Sequence, residues 1–209
     1  MNKKILILGG LLVFLFTLGL SEGVQIGGIS SSFNEIPDTP EAKEIMKTIE
    51  KAYDIEAEAA YTFDLKKFPT VFINDPRYPM DPATLQVIRE MTDNLSLESA
   101  GYLDYKLAYN MWASNAILHY EEVHKKAKEE KRELTKEEKQ SLTDKYGRGT
   151  PGRAESPTRS FPVKFISMEI NNDIALVVID DGPTTVELTV VLVDNHWYIA
   201  DSKIISVHP

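Results

Sequence analysis

Three side chains in this 209-residue chain are of types that a small enzyme could use as an acid or a base: Asp64, His119 and Asp201. A carboxylate or imidazole whose pKa is raised by an apolar pocket can move protons in hydrolysis, dehydration or isomerisation. The spacing of these three residues along the chain does not fix their relative geometry, so the sequence names no catalytic set. A small enzyme is therefore the alternative, and a non-catalytic binding or assembly module is the favoured function.

A second set of side chains suits ligand binding. Tyr105, Tyr109, Trp112 and His119 follow one another at spacings of four, three and seven residues, which places them on successive turns of one helix. Each combines an apolar body with a polar tip, and such residues line pockets that need both burial and a few directed hydrogen bonds. The same stripe is also the ordinary pattern of a helix packed into a core. The sequence leaves both interpretations open.

An earlier amphipathic helix, from about residue 40 to 61, contributes Tyr53 and Glu56 to the predicted site. Both could face the same space as the aromatic stripe, where Glu56 would supply the only charge. The alternative is a glutamate that lies beside the apolar face and simply reaches water. The predicted ligand-binding residues are therefore Tyr53, Glu56, Tyr105, Tyr109, Trp112 and His119.

No metal or cofactor motif accompanies these residues in the sequence. The chain has no cysteine, which excludes disulfides and thiolate ligands. His119 and His124 are five residues apart, so their side chains lie on different faces of a helix. We therefore expect no metal and no cofactor. The formal net charge of −9 also disfavours nucleic acid as a partner.

The N-terminus predicts export. Lys3 and Lys4 precede an apolar run over residues 5–20, which is the pattern of a bacterial signal peptide. The length of the run also allows an uncleaved anchor, so residues 1–23 are a signal peptide or a membrane anchor. Residues 24–37 have the small polar composition of a flexible linker. The remainder is expected outside the cytoplasm, secreted or anchored, with membrane contact only through residues 5–20.

The elements that must position the candidate residues begin with a C-terminal sheet. Four runs rich in Val, Ile, Thr and aromatic residues predict an antiparallel four-strand meander over residues 163–170, 174–180, 184–193 and 197–207. Asn, Asp and Gly between the runs tolerate the positive φ of tight hairpins. With helices before it, this sheet predicts a single α+β domain over residues 38–209.

A helical insertion, residues 77–145, is expected between the first helix and the sheet. It comprises a short helix from Asp81-Pro82, a long helix over about residues 97–127, and a third helix that begins at Thr135 with the spacing of a capping box. The last two helices would form a charged hairpin.

Residues 146–161, which follow this hairpin, are rich in Gly and Pro and predict a loop. Arg148, Arg153 and Arg159 give this loop positive charge in an otherwise acidic chain. A mobile loop and a lid that contacts an anion are the two interpretations.

The order of these elements resembles the nuclear transport factor two superfamily. The resemblance rests on the long first helix followed by Phe63-Asp64, on a Val-Phe-Ile-Asn-Asp segment at residues 71–75 that reads as an edge strand or extended segment, and on Trp197-Tyr198-Ile199-Ala200-Asp201 in the last strand. It covers residues 40–76 and 161–207, with a long inserted region between them. It implies a cystatin-like cone, in which a strongly curved sheet wraps against helices, and such cones sometimes host small enzymes of the kind considered above.

The two central strands carry apolar side chains on both faces, so the face turned away from the helices also needs cover. Ala175, Val177 and Ile179 alternate with Ile174, Leu176 and Val178. The resemblance implies a homodimer through this outer face, and cover by the inserted helices of residues 82–123 is the intramolecular alternative. The expected partner is otherwise an unknown small molecule or protein.

Overall fold

The computed structural model describes residues 35–92, 101–146 and 152–208. The predicted signal or anchor, residues 24–34 of the predicted linker and Arg148 lie outside the described residues. The helices are α1 (Pro40–Thr62), α2 (Pro82–Thr92), α3 (Tyr102–Glu129) and α4 (Lys136–Tyr146), with a 3-10 helix at Phe68–Thr70. The strands are β1 (Lys164–Asn171), β2 (Ile174–Asp180), β3 (Thr184–Val193) and β4 (His196–Val207). The prediction of an α+β fold is confirmed.

The predicted meander is also confirmed, because the four strands pair antiparallel in the order β1-β2-β3-β4. The residues at the hairpin turns adopt the positive φ values that their side-chain types tolerate. Asn172, Asp194 and Asn195 have φ values of 56°, 50° and 60°, and Gly182 has a φ of 100°. Such values are accessible to Asn, Asp and Gly at low cost, which explains why the strands reverse at these positions.

Helix α1 covers the inner face of the sheet. Thr39 caps its start, because the Thr39 Oγ1 accepts a hydrogen bond of 3.1 Å from the Ala42 amide. One stripe of the helix is buried in the core: Ala42, Ile45, Ile49, Ala52, Ile55 and Ala59. Ala175, Val177 and Ile179 of β2 belong to the same core, as do Val186, Leu188 and Val190 of β3. The alternation of β2 and β3 therefore places every second side chain against α1.

The segment after α1 joins the sheet at a single point. Phe72 forms a parallel bridge with Ile199, and two hydrogen bonds carry it: the Ile73 amide donates to the Ile199 carbonyl (3.1 Å) and the Ile199 amide donates to the Val71 carbonyl (2.8 Å). The segment predicted as an edge strand or extended segment thus makes one bridge, at the outer edge of β4. Since Phe72 is buried beside Tyr102 at the start of α3, this bridge also fixes where α3 meets the sheet.

Helices α3 and α4 form the predicted charged hairpin. The capping box is present, because the Glu138 amide donates to Thr135 Oγ1 (3.1 Å) and the Thr135 amide donates to a Glu138 carboxylate oxygen (2.9 Å). Arg132 holds the turn with two further bonds to the Glu138 carboxylate, of 2.7 and 2.8 Å. Among the described helices, none is long and apolar enough to span a bilayer.

The two arginines of the loop that lie within the described residues are both paired with carboxylates. Arg159 Nε lies 2.7 Å from an Asp54 oxygen on α1, and Arg153 lies 3.2 Å from a Glu121 oxygen on α3. The Arg153 guanidinium also stacks on the Phe63 ring, 4.5 Å from its centroid. This part of the loop therefore contacts both α1 and α3 through its arginines.

Candidate functional site

A buried ion pair joins α1 to α3. Lys106 Nζ lies 2.6 Å from a Glu56 carboxylate oxygen, and the side chains are only 11% and 19% exposed. The Lys106 ammonium also lies over two aromatic rings, 5.2 Å from the Phe72 centroid and 5.4 Å from the Tyr102 centroid. The expectation that Glu56 is the only charge of the site is therefore wrong. It failed because sequence spacing cannot show that Lys106 turns toward α1.

The Lys106 ammonium is held in its charged form. Burial alone lowers the pKa of Lys106, but the Glu56 carboxylate and the surrounding tyrosines outweigh it, and the pKa of Lys106 is raised well above its ordinary value. The ammonium therefore keeps its proton throughout the neutral range. A lysine in this state serves as a fixed positive charge and not as a base or a nucleophile.

Two hydroxyl groups extend the polar contacts of the site to the sheet. The Tyr102 hydroxyl donates to Ser202 Oγ on β4 (2.8 Å), and the Tyr53 hydroxyl donates to an Asp181 carboxylate oxygen (3.3 Å) in the turn after β2. These bonds join residues that are 100 and 128 positions apart in the chain. These bonds connect α3 to β4 and α1 to the turn after β2.

The aromatic residues form one continuous row along α3. Ring centroids are 5.9 Å apart between Tyr102 and Tyr105, 6.2 Å between Tyr105 and Tyr109, and 6.3 Å between Tyr109 and Trp112. Phe68 and Phe72 continue the row into the core, with spacings of 5.4 Å to each other and 5.8 Å from Phe72 to Tyr102. The row therefore runs from the centre of the domain outward along α3.

The structure brings most of the predicted site residues together. Tyr53, Tyr105 and Tyr109 are each close enough to the Glu56–Lys106 pair for both charges to affect the pKa of the tyrosine. Trp112 is joined to them through Tyr109. His119 is half-buried on the same helix, seven residues and about 10 Å beyond Trp112.

Sequence analysis missed two central members of this group, Lys106 and Tyr102. Lys106 carries a signal in retrospect, because it is the one cation in residues 102–109, where Asp104 is the only other charged residue and the rest are aromatic or aliphatic. A lysine in such a stretch must either extend to water or find a carboxylate, and Glu56 on the apolar face of α1 has the matching need. Once α1 and α3 lie side by side, the lysine on α3 and the glutamate on α1 are expected to pair.

The two candidate catalytic carboxylates, Asp64 and Asp201, lie in surroundings that differ from each other and from the group around Lys106. Asp64 is exposed at the end of α1, where its carboxylate accepts a bond from the Lys66 amide (3.0 Å). Asp201 pairs with Thr189 across the sheet, and partial burial raises the pKa of its carboxyl, with Asp81 and Glu187 adding to the effect. Neither carboxylate belongs to the group around Lys106.

Comparison with family models, curated proteins and solved structures finds no match for this chain. Within the described residues, no group of three or more His, Asp or Glu side chains is placed to hold a metal ion. Any function must therefore be argued from the geometry of the side chains.

Four tyrosines make the fold sensitive to alkali. Burial raises the pKa of Tyr109 to about 12, and it also raises the pKa values of Tyr53, Tyr102 and Tyr105. Because these protons are held more tightly in the folded state, their contribution to stability is intact below about pH 10, the value of an exposed tyrosine, and is lost as the pH rises through the folded values. The raised pKa of Lys106 acts in the same direction.

We therefore expect alkaline unfolding in which these tyrosines ionise together with loss of structure. Near-ultraviolet absorbance of tyrosinate and circular dichroism, recorded on the same samples, should show one shared transition. Smooth ionisation of all nine tyrosines near pH 10 with the fold intact would contradict this expectation.

Proposed function

We propose that this protein is an exported, non-catalytic binding module, and that its ligand contacts an aromatic cluster formed by Tyr53, Tyr105, Tyr109 and Trp112 beside the Glu56–Lys106 pair. The observation that carries the proposal is the ion pair itself. A charge pair of 2.6 Å enclosed by tyrosines offers directed polar contacts next to large apolar faces, which is the composition of a small-molecule site.

Binding is favoured over catalysis by the state of the two charges. A general acid or base needs a pKa near the working pH, whereas the pKa of Lys106 is shifted upward, away from neutrality. Glu56 is held in place by the same contact. The pair therefore supplies fixed charge and hydrogen-bonding groups, and the candidate catalytic carboxylates, Asp64 and Asp201, lie in surroundings of their own.

The fold-level part of the proposal is a cystatin-like cone similar to that of the nuclear transport factor two superfamily. Its support is the four-strand antiparallel sheet with α1 on one face and α3 at the β4 end, together with the sequence resemblance. In such an arrangement the aromatic cluster would lie at the opening between the two helices and the sheet.

Export is proposed from Lys3, Lys4 and the apolar run of residues 5–20. N-terminal sequencing of the protein recovered from cells should find either a start shortly after residues 19–23, as cleavage would produce, or the intact chain in the membrane fraction. Recovery of the full chain only from the cytoplasmic fraction would reject export.

The binding site is tested with Trp112→Ala. If Trp112 contacts a ligand, native mass spectrometry of the purified wild-type protein should detect a bound small molecule that the variant lacks, while the variant keeps its circular dichroism spectrum. Met111→Ala, at an exposed neighbouring position on the same helix, is the matched control and should retain the ligand.

A different result is expected if Trp112 does not contact a ligand. If Trp112 is part of the core, Trp112→Ala should cost about 3–5 kcal/mol of unfolding free energy, as aromatic truncations in cores do. A loss of that size, with no bound molecule in either protein, would reject the site.

A further inference from the structure

Residues 152–161, which we call the strap, lie on the surface before β1 and have no helix or strand. All of them except Ala154 and Arg159 are exposed, and none belongs to the core. Among the residues that the structure describes, no backbone hydrogen bond joins the strap to the rest of the domain. The strap is therefore held by its side chains.

Two of the contacts that hold the strap are ion pairs open to water. In the pair of Arg153 with Glu121, the side chains are 42% and 47% exposed. In the pair of Arg159 with Asp54, they are 25% and 60% exposed. Exposed ion pairs stabilise a structure only weakly, and salt screens them. The hold of these two contacts should therefore depend on ionic strength.

The third contact is made at the end of the strap. The Phe161 ring lies directly on Gly182 in the turn between β2 and β3, where a Cβ atom would come within 2.5 Å of Phe161 Cγ. Phe161 stays 49% exposed, so its ring covers the turn without entering the core. The neighbouring Asp181 accepts the hydrogen bond of the Tyr53 hydroxyl. The strap therefore borders the candidate binding site at Tyr53.

Phe63, on whose ring Arg153 stacks, has an unusual backbone. It ends α1 in the left-handed conformation, with a φ of 62°, where glycine is the usual residue and a bulky side chain is strained. Glycine at this position would relieve the strain and remove the ring. Phe63→Gly can therefore weaken the hold on Arg153 without disfavouring the end of the helix.

We propose that the strap detaches from α1 and α3 as one unit while the rest of the domain stays folded, and that a rise in ionic strength favours the detached state. A segment with few buried contacts and no backbone hydrogen bonds to its surroundings can open at low cost. Salt weakens the two ion pairs but not the apolar core beneath them. The two states differ at the border of the candidate binding site.

Trypsin can measure the detached state. It cleaves after an arginine whose side chain enters its specificity pocket, so an arginine held in an ion pair is protected. When detachment is fast relative to cleavage, the cleavage rate follows the detached fraction. Mass spectrometry would give the rates of cleavage after Arg153 and Arg159 in the full-length protein. Each rate would be divided by that of the same bond in a synthetic peptide of residues 149–163, which corrects for the effect of salt on trypsin.

Both bonds should be protected relative to the peptide at low salt, and the protection should fall at least about threefold between about 20 mM and about 500 mM sodium chloride. Glu121→Gln and Phe63→Gly each remove a contact of Arg153. Because the strap detaches as one unit, each variant should raise cleavage after Arg153 and after Arg159 by the same factor. Glu44→Gln, at an exposed position of α1 about 15 Å before Asp54, is the matched control and should change neither rate.

Protection that neither salt nor the two variants change would overturn the proposal. Cleavage as fast as in the peptide at low salt would also overturn it, because the strap would then not be held. An increase confined to the bond nearest the changed residue would show separate contacts and not one unit. Circular dichroism should stay that of the folded protein at each salt concentration, and loss of protection only together with the fold would reject a separate strap.

Discussion

Lys106→Met is expected to lower the free energy of unfolding by about 3 kcal/mol. The change keeps an unbranched apolar side chain but removes the ammonium that lies over Phe72 and Tyr102, so the Glu56 carboxylate is left enclosed without its partner. Breaking a buried pair from one side typically costs about 3–5 kcal/mol. We expect the lower end because the Glu56 side chain retains 19% of its exposure to water. Urea denaturation at neutral pH measures the change.

The double variant Glu56→Leu with Lys106→Met tests how much of this loss of stability comes from leaving Glu56 buried without its partner. Once both charges are gone, no uncompensated charge remains, so the double variant should be more stable than Lys106→Met alone. If the effects of Lys106→Met and Glu56→Leu, each measured alone, simply add in the double variant, the pair does not hold α1 against α3.

Phe72→Ala is expected to cost about 3–5 kcal/mol of unfolding free energy, as truncation of a buried aromatic side chain does. Phe72 packs against Phe68 and Tyr102, supports the Lys106 ammonium, and lies where the chain bridges to β4. The variant should therefore lose stability and also loosen the ion pair. Thermal unfolding followed by circular dichroism measures the first effect.

Two control variants show whether the effect of Phe72→Ala comes from the loss of a buried ring. Phe72→Leu retains most of the apolar volume and should cost clearly less than Phe72→Ala. Tyr61→Ala removes an aromatic side chain that is 40% exposed, and its effect should stay within about 0.5 kcal/mol. If Phe72→Ala is no more destabilising than Tyr61→Ala, the ring is not the link between the core and the ion pair.

The sequence by itself determined the local elements of this protein. Alternating Val, Ile and Thr with Asn, Asp and Gly at the reversals sufficed for the meander, since strand periodicity and turn conformation depend on neighbouring residues. Thr135 with Glu138 marked a helix start for the same reason. The spacing of Tyr105, Tyr109 and Trp112 placed them on one stripe, and the rings do form a row.

Only the tertiary structure decided which faces meet. Residues 71–75 have the composition of a strand, yet they make a single bridge, because pairing depends on how much of the β4 edge the chain can reach before it turns into α2. Lys106 and Glu56 are fifty residues apart, and their contact depends on how α1 and α3 are rotated and shifted against each other. Helical periodicity shows which side chains share one face of a helix, but it does not show which residues of another element that face contacts. The packing of α1, α3 and the sheet around one core therefore selected the Glu56–Lys106 pair and placed the aromatic cluster around it.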